Sequence, residues 1–116
     1  MQPELLKARN MLKEKLLNNA RAVVNETLNM KLPKLVEIGI FGSLAKDNFT
    51  CNSDADIYLI FDGCLPDRET KGILRSIAEE NNCDIVFIES GHLTLENPNP
   101  LVAEILNSRV ILWRGQ

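Results

Sequence analysis

The sequence predicts an α/β fold: a mixed sheet of about three or four strands, helices packed on one face, and a functional site at the open edge. Two observations lead there. Short runs rich in β-branched and aromatic residues alternate with stretches whose apolar residues recur at helical spacing. Polar chemistry is concentrated where those runs start or stop: Gly42-Ser43 closes one strand, Asp54 and Asp56 open the next, and Asp84 opens a third.

From Pro3 to about Leu28 the chain reads as a long amphipathic helix, with Pro3 suited to its first turn. Leu5, Ala8, Leu12, Leu16, Ala20 and Val23 form an apolar stripe, widened by Leu6, Leu17 and Val24. The stripe is expected to pack on the sheet, and its breadth also suits a protein partner. After a connector, Lys34 to Phe41 is the first strand, with Val36, Ile38 and Ile40 on one face. Gly42 supplies a tight turn, and Ser43 is expected to cap a short helix from Leu44 to Asp47. Asn48 to Asn52 is a polar loop. The second strand, Asp54 to Phe61, is apolar on both faces beyond its aspartates, as a central strand should be.

Asp62 to Pro66 is a turn, and Asp67 is a natural N-cap for a helix reaching about Asn81, with Ile73, Leu74, Ile77 and Ala78 inward. Cys83 to Ile88 is the third strand, and Glu89 to Asn99 a loop. Pro100 opens a helix from Leu101 to about Ser108. Val110 to Trp113 is apolar and β-prone, a terminal strand or a docked tail. With no repeat, low-complexity tract or dividing linker, a single domain over 1–116 is expected, its leading helix at about 3–28 and its core at about 34–113.

Composition narrows the function classes. The chain has 116 residues, 45% hydrophobic and 25% charged, with a net charge of −3. That balance argues against a protein built to grip a nucleic-acid backbone, so nucleic acid is not an expected partner. Three cysteines, odd in number and without metal-type spacing, point to a reducing, cytoplasmic setting, with Cys83 a buried hydrophobe. No signal-peptide pattern and no apolar run of membrane-spanning length is present. His92, the only histidine, reads as a loop surface residue, and Trp113 as a core-packing one.

The informative stretch is Ile38 to Phe61. Residues two apart on a strand share a face and lie about 6.5 Å apart along the chain. Asp54 and Asp56 therefore aim two carboxylates at one place, which like charges make costly unless a cation is shared. Mg²⁺ fits such a pair, because it takes one or two carboxylates and fills its remaining positions with phosphate and water. Backbone N–H groups at the Gly42-Ser43 turn are placed to hold phosphate oxygens. Asp84, at the head of an apolar strand, is the third candidate carboxylate.

Gly42-Ser43-Leu44-Ala45-Lys46, then after a short loop Ser53-Asp54-Ala55-Asp56, resembles the signature of the DNA polymerase β-like nucleotidyltransferases. That pattern is Gly-Ser-x-Ala-Arg/Lys-Gly, five loop residues, then Ser-Asp-x-Asp. The small size is similar to the family's minimal branch, the MNT domains, often antitoxins of the MntA type paired with HEPN-domain toxins. The resemblance runs from about Lys34 to Trp113 and departs from the pattern at Asp47, where the family has glycine. It implies a polymerase β-like fold and transfer of a nucleoside monophosphate, AMP from ATP, to a hydroxyl, in the toxin–antitoxin case a tyrosine of the HEPN partner. It further implies two Mg²⁺ ions held by Asp54, Asp56 and Asp84, with Asp84 as general base. Gly42, Ser43, Lys46 and Ser53 would hold the nucleotide. A second reading, which Asp47 favours, is a binding antitoxin or regulatory nucleotide-binding module with little catalysis. A homo-oligomer is compatible with both.

Overall fold

The structure is a computed structural model and describes residues 3–115. Its elements follow the expected order: α1 (Pro3–Asn29), β1 (Leu35–Phe41), α2 (Gly42–Ala45), β2 (Ala55–Phe61), α3 (Arg68–Glu80), β3 (Cys83–Glu89), α4 (Pro100–Ser108) and β4 (Val110–Arg114). A single 3₁₀ turn, Ser90–His92, interrupts the loop before α4. The four strands form one sheet in the order β3-β2-β1-β4. β2 and β3 run parallel, and the other neighbours antiparallel, so the sheet is mixed. Cα–Cα pairing puts β2 at the centre, which is why Ile57, Tyr58, Leu59, Ile60 and Phe61 are all buried.

Two apolar layers sandwich the sheet. One joins Ile38, Ile40, Ala55, Ile57, Leu59 and Phe61 to Leu16, Ala20 and Val23 of α1 and to Leu74 and Ala78 of α3. On the other face Phe41, Tyr58, Ile60 and Ile88 pack against Ile105 of α4. Val36 joins this second layer rather than Ile38 and Ile40, because the β1–β2 register shifts between Leu35 and Glu37. The bulge reverses the side of the sheet that Val36 occupies.

The apolar stripe of α1 joins the core only from Leu12 onward. Leu5, Leu6 and Met11 are exposed, so the first part of the expected stripe does not lie on the sheet. Length explains this: 27 residues of helix span about 40 Å, whereas a seven-residue strand spans roughly 23 Å. On α3, Asp67 caps as expected, accepting from the Thr70 N–H at 2.8 Å. Ile73, expected inward, is exposed, and Leu74 and Ala78 carry the contact.

A buried carboxylate fastens the C-terminal strand. Glu37, 5% exposed, accepts from Tyr58 Oη at 2.8 Å, Arg109 at 3.0 Å and Arg114 at 2.9 Å, so one side chain ties β1 to β2 and to both ends of β4. Burial, then the Glu37 contact, pushes the Tyr58 hydroxyl well above its usual range. Gly39 of β1 leaves room for this cluster: a Cβ there would collide with the Tyr58 ring and hydroxyl.

Candidate active site

Asp56 and Asp84 come together where β2 and β3 begin. Parallel pairing sets Asp56 directly beside Asp84, and in a parallel pair such neighbours face the same way. Ala55 and Ile57 face the opposite layer, whereas Asp54, expected as the first residue of the strand, lies just before β2 and lines a cavity with Leu12 and Asn19 of α1. Asp84 and Asp54 are exposed, and Asp56 is half-buried.

Asp56 is the electrostatic centre. Burial raises its carboxyl from 3.8 to about 6, with Asp84, Glu104 and Asp54 adding to the rise in that order. The neighbouring Cys83 thiol is pushed up to about 11, first by burial and then by Asp54, Asp84 and Asp56. All three aspartates therefore act on one region. Among the described residues no three His, Cys, Asp or Glu side chains are already gathered as a metal-binding group. Even so, the donor chemistry fits a hard divalent cation: oxygen ligands only, an excess of negative charge, and one carboxyl held above its normal range by burial and by the acids around it.

Gly42 abuts this centre. Its φ of +73° is left-handed, and a Cβ would stand 2.6 Å from Asp56 Oδ2. Glycine is thus required twice, for the turn and for the approach to the carboxylate. Ser43 lies inside α2 and does not cap it; the cap position is Phe41, which makes no side-chain bond. The helix begins directly at Gly42, two residues earlier than Ser43 needs in order to cap.

The C-terminal end of α2 explains the Asp47 position. The Asp47 N–H donates to Leu44 O at 3.2 Å and the Asn48 N–H to Ser43 O at 3.0 Å, the paired bonds of a Schellman ending. The residue at its bend takes a left-handed backbone, and Asp47 has φ +62°. Glycine is favoured there for that reason, and aspartate tolerates it at a modest cost. The Asp47 carboxylate is engaged by Lys13 of α1 at 3.2 Å.

Lys46 and Ser53 have other partners in this structure. Lys46 Nζ lies 3.4 Å from Glu104 of α4. Ser53 Oγ accepts from the Thr50 N–H at 2.8 Å and closes the polar loop. Two residues of α4 were not foreseen. Ser108 Oγ lies 3.4 Å from the Gly42 N–H, which donates to it, and itself donates to Glu104 O at 2.7 Å. Glu104 adds a fourth carboxylate. No spacing rule reveals these residues, because α4 reaches the turn only through the folding back of a later segment. A cavity of about 280 Å³ between α1 and the polar loop takes in Asp54, with Leu12, Lys15, Asn19, Cys51 and Asn82 among its lining.

Comparison with known proteins agrees with this geometry. The profile of the family described as polymerase beta, nucleotidyltransferase, matches residues 23–115. A Sulfolobus solfataricus protein provisionally described as a nucleotidyltransferase has a similar fold, with a TM-score of 0.61 and 22% identity over 91% of this chain and 86% of that one. A toxin–antitoxin structure with AMP-PNP gives a TM-score of 0.55 and 22% identity, covering 81% of this chain and 73% of that chain. A toxin–antitoxin MntA–HpeT structure gives 0.54 and 20%, covering 80% and 72%. At these identities the likeness is one of fold. No protein of curated function matches the sequence.

Proposed function

The chain belongs to the polymerase β nucleotidyltransferase family, and on that premise we propose that it transfers AMP from ATP to a hydroxyl group. The observation that carries this reading is the register of Asp56 with Asp84, with Gly42 packed against the Asp56 carboxylate. The Gly42-Ser43 turn holds the nucleotide phosphates, with Lys46 and Ser53 joining once they leave Glu104 and Thr50. Asp54, Asp56 and Asp84 would hold Mg²⁺, two ions in this reading, whose charge offsets that of the phosphates. Asp84 accepts the proton of the acceptor hydroxyl, whose oxygen forms a bond to the α-phosphorus as the α–β phosphoanhydride bond breaks and pyrophosphate leaves.

Two of the similar structures are toxin–antitoxin assemblies, one with a nucleotide analogue. We therefore assign the acceptor to a HEPN-type toxin partner, at a tyrosine hydroxyl, with this chain as antitoxin. The test is to incubate the protein with Mg²⁺ and each α-labelled nucleoside triphosphate in host lysate, then locate the label. Label from ATP on one protein band, absent with Asp54→Asn or Asp56→Asn, is expected. Label on RNA or on a small molecule would displace the toxin reading, and retained transfer in either variant would refute the site.

A second reading is a regulatory nucleotide-binding module with little turnover. It is favoured by the Lys46–Glu104 pair, which occupies a cation wanted at the phosphates. Mg²⁺-dependent ATP binding without label transfer to any acceptor would support it.

A further inference from the structure

We infer that Arg9 and Lys13 of α1 are positioning residues that hold the loop between the Gly42-Ser43 turn and Asp54. This rests on the reading of that loop as part of a nucleotide site. The loop, residues 46–53, makes the covalent link between the two halves of the site. Most of it is exposed, so its own packing does not fix it. Phe49 is the exception, 2% exposed.

α1 grips the loop at two points. Arg9 lies over the Phe49 ring at 4.2 Å and donates to Phe49 O at 3.2 Å and to Asp47 O. Lys13 Nζ pairs with Asp47 Oδ1 at 3.2 Å. One guanidinium therefore stacks on an aromatic ring while satisfying two loop carbonyls, a task suited to its planar fork. Both basic residues precede residue 23, where the family match begins. Their partner Asp47 occupies the position at which the Schellman bend favours glycine. An unfavourable backbone residue and two helix cations outside the family match thus serve the same contact. Glycine at position 47 would relax the bend and give Lys13 nothing to hold. The ion pairs also direct the Asp47 charge toward α1, which reduces its repulsion of a bound triphosphate.

Hydrogen exchange on the full chain tests this, comparing wild type with Arg9→Ala and Asp47→Asn. Amides of residues 46–54 are expected to exchange about tenfold faster in both variants, with β1 and β2 amides unchanged. The KM for Mg²⁺–ATP is expected to rise several-fold in both variants, ~3-fold or more, with kcat changing less. Arg9→Lys, which keeps the charge but not the fork, should recover part of both effects. Unchanged loop exchange in both variants would overturn the inference. So would a loosened loop with an unaltered KM. If wild type binds no nucleotide, the nucleotidyltransferase reading fails, and loop exchange alone still decides whether α1 holds Asp54.

Discussion

Asp56 stands among Asp54, Asp84 and Glu104, and burial together with those neighbours lifts its carboxyl to about 6. The folded state thus binds this proton more tightly than the unfolded chain, whose value is 3.8. The resulting stabilisation is complete below about pH 3.8 and is lost as the pH rises through about 6. In metal-free protein at neutral pH, Asp56 is therefore a liability to the fold, lessened by its partial exposure to solvent. Asp56→Asn should raise the melting temperature of the metal-free protein by ~2 °C at neutral pH. Calorimetry should show that gain shrinking as the pH falls through about 6 toward 3.8. At this scale the sequence was informative wherever a motif ties residue type to spacing. The turn at Gly42 and the alternation of Asp56 with Ala55 and Ile57 were legible because turn chemistry and strand alternation are local. Ser43 misled because its capping role depended on where α2 starts, a matter of two residues. Glu104 and Ser108 carried no signal, since their role depends on which part of the turn α4 meets.

Elements show a similar division. The succession of elements and the N-cap of α3 followed from pattern, whereas the strand order and the capping of α4 by Asn99, through a bond from the Leu101 N–H at 3.0 Å, emerged only in the fold. What pattern missed was the polar cluster that secures β4. Glu37 reads in sequence as one acid in an apolar strand, and only the fold supplies Tyr58, Arg109 and Arg114 around it. Glu37→Ala leaves a buried hydroxyl and two guanidinium groups without their acceptor and should destabilise by about 3 kcal/mol. Denaturant unfolding would measure the loss, with hydrogen exchange rising first in β4. α1 carries the opposite case. Thr27 is fully buried and its hydroxyl has no hydrogen-bond partner among the described residues. Thr27→Val keeps the shape, removes the unpaired group, and should stabilise by about 1 kcal/mol in the same assay.

Across the whole molecule, one sheet sets Asp56 and Asp84 side by side next to a glycine turn, while α1 projects past the sheet with Leu5, Leu6 and Met11 exposed. None of the helices among the described residues is long and apolar enough to cross a membrane. The helix-stripe pattern could not reveal how far α1 overhangs, because the length of the sheet it meets is set by other elements. The overhang and the exposed β4 residues Val110 and Ile111 offer apolar surface to a protein partner. Substituting Leu5 and Met11 with serine should weaken capture of the proposed toxin partner while leaving the fold's melting temperature within ~1 °C. Pull-down and thermal unfolding together would check this. The most direct measurement is the thermal shift produced by ATP with and without Mg²⁺, in wild type and in Asp56→Asn. Wild type should gain stability from ATP only when Mg²⁺ is present, and Asp56→Asn should lose that dependence. An equal shift in the variant, or a shift in wild type that ignores Mg²⁺, would contradict a metal–nucleotide site at Asp54, Asp56 and Asp84.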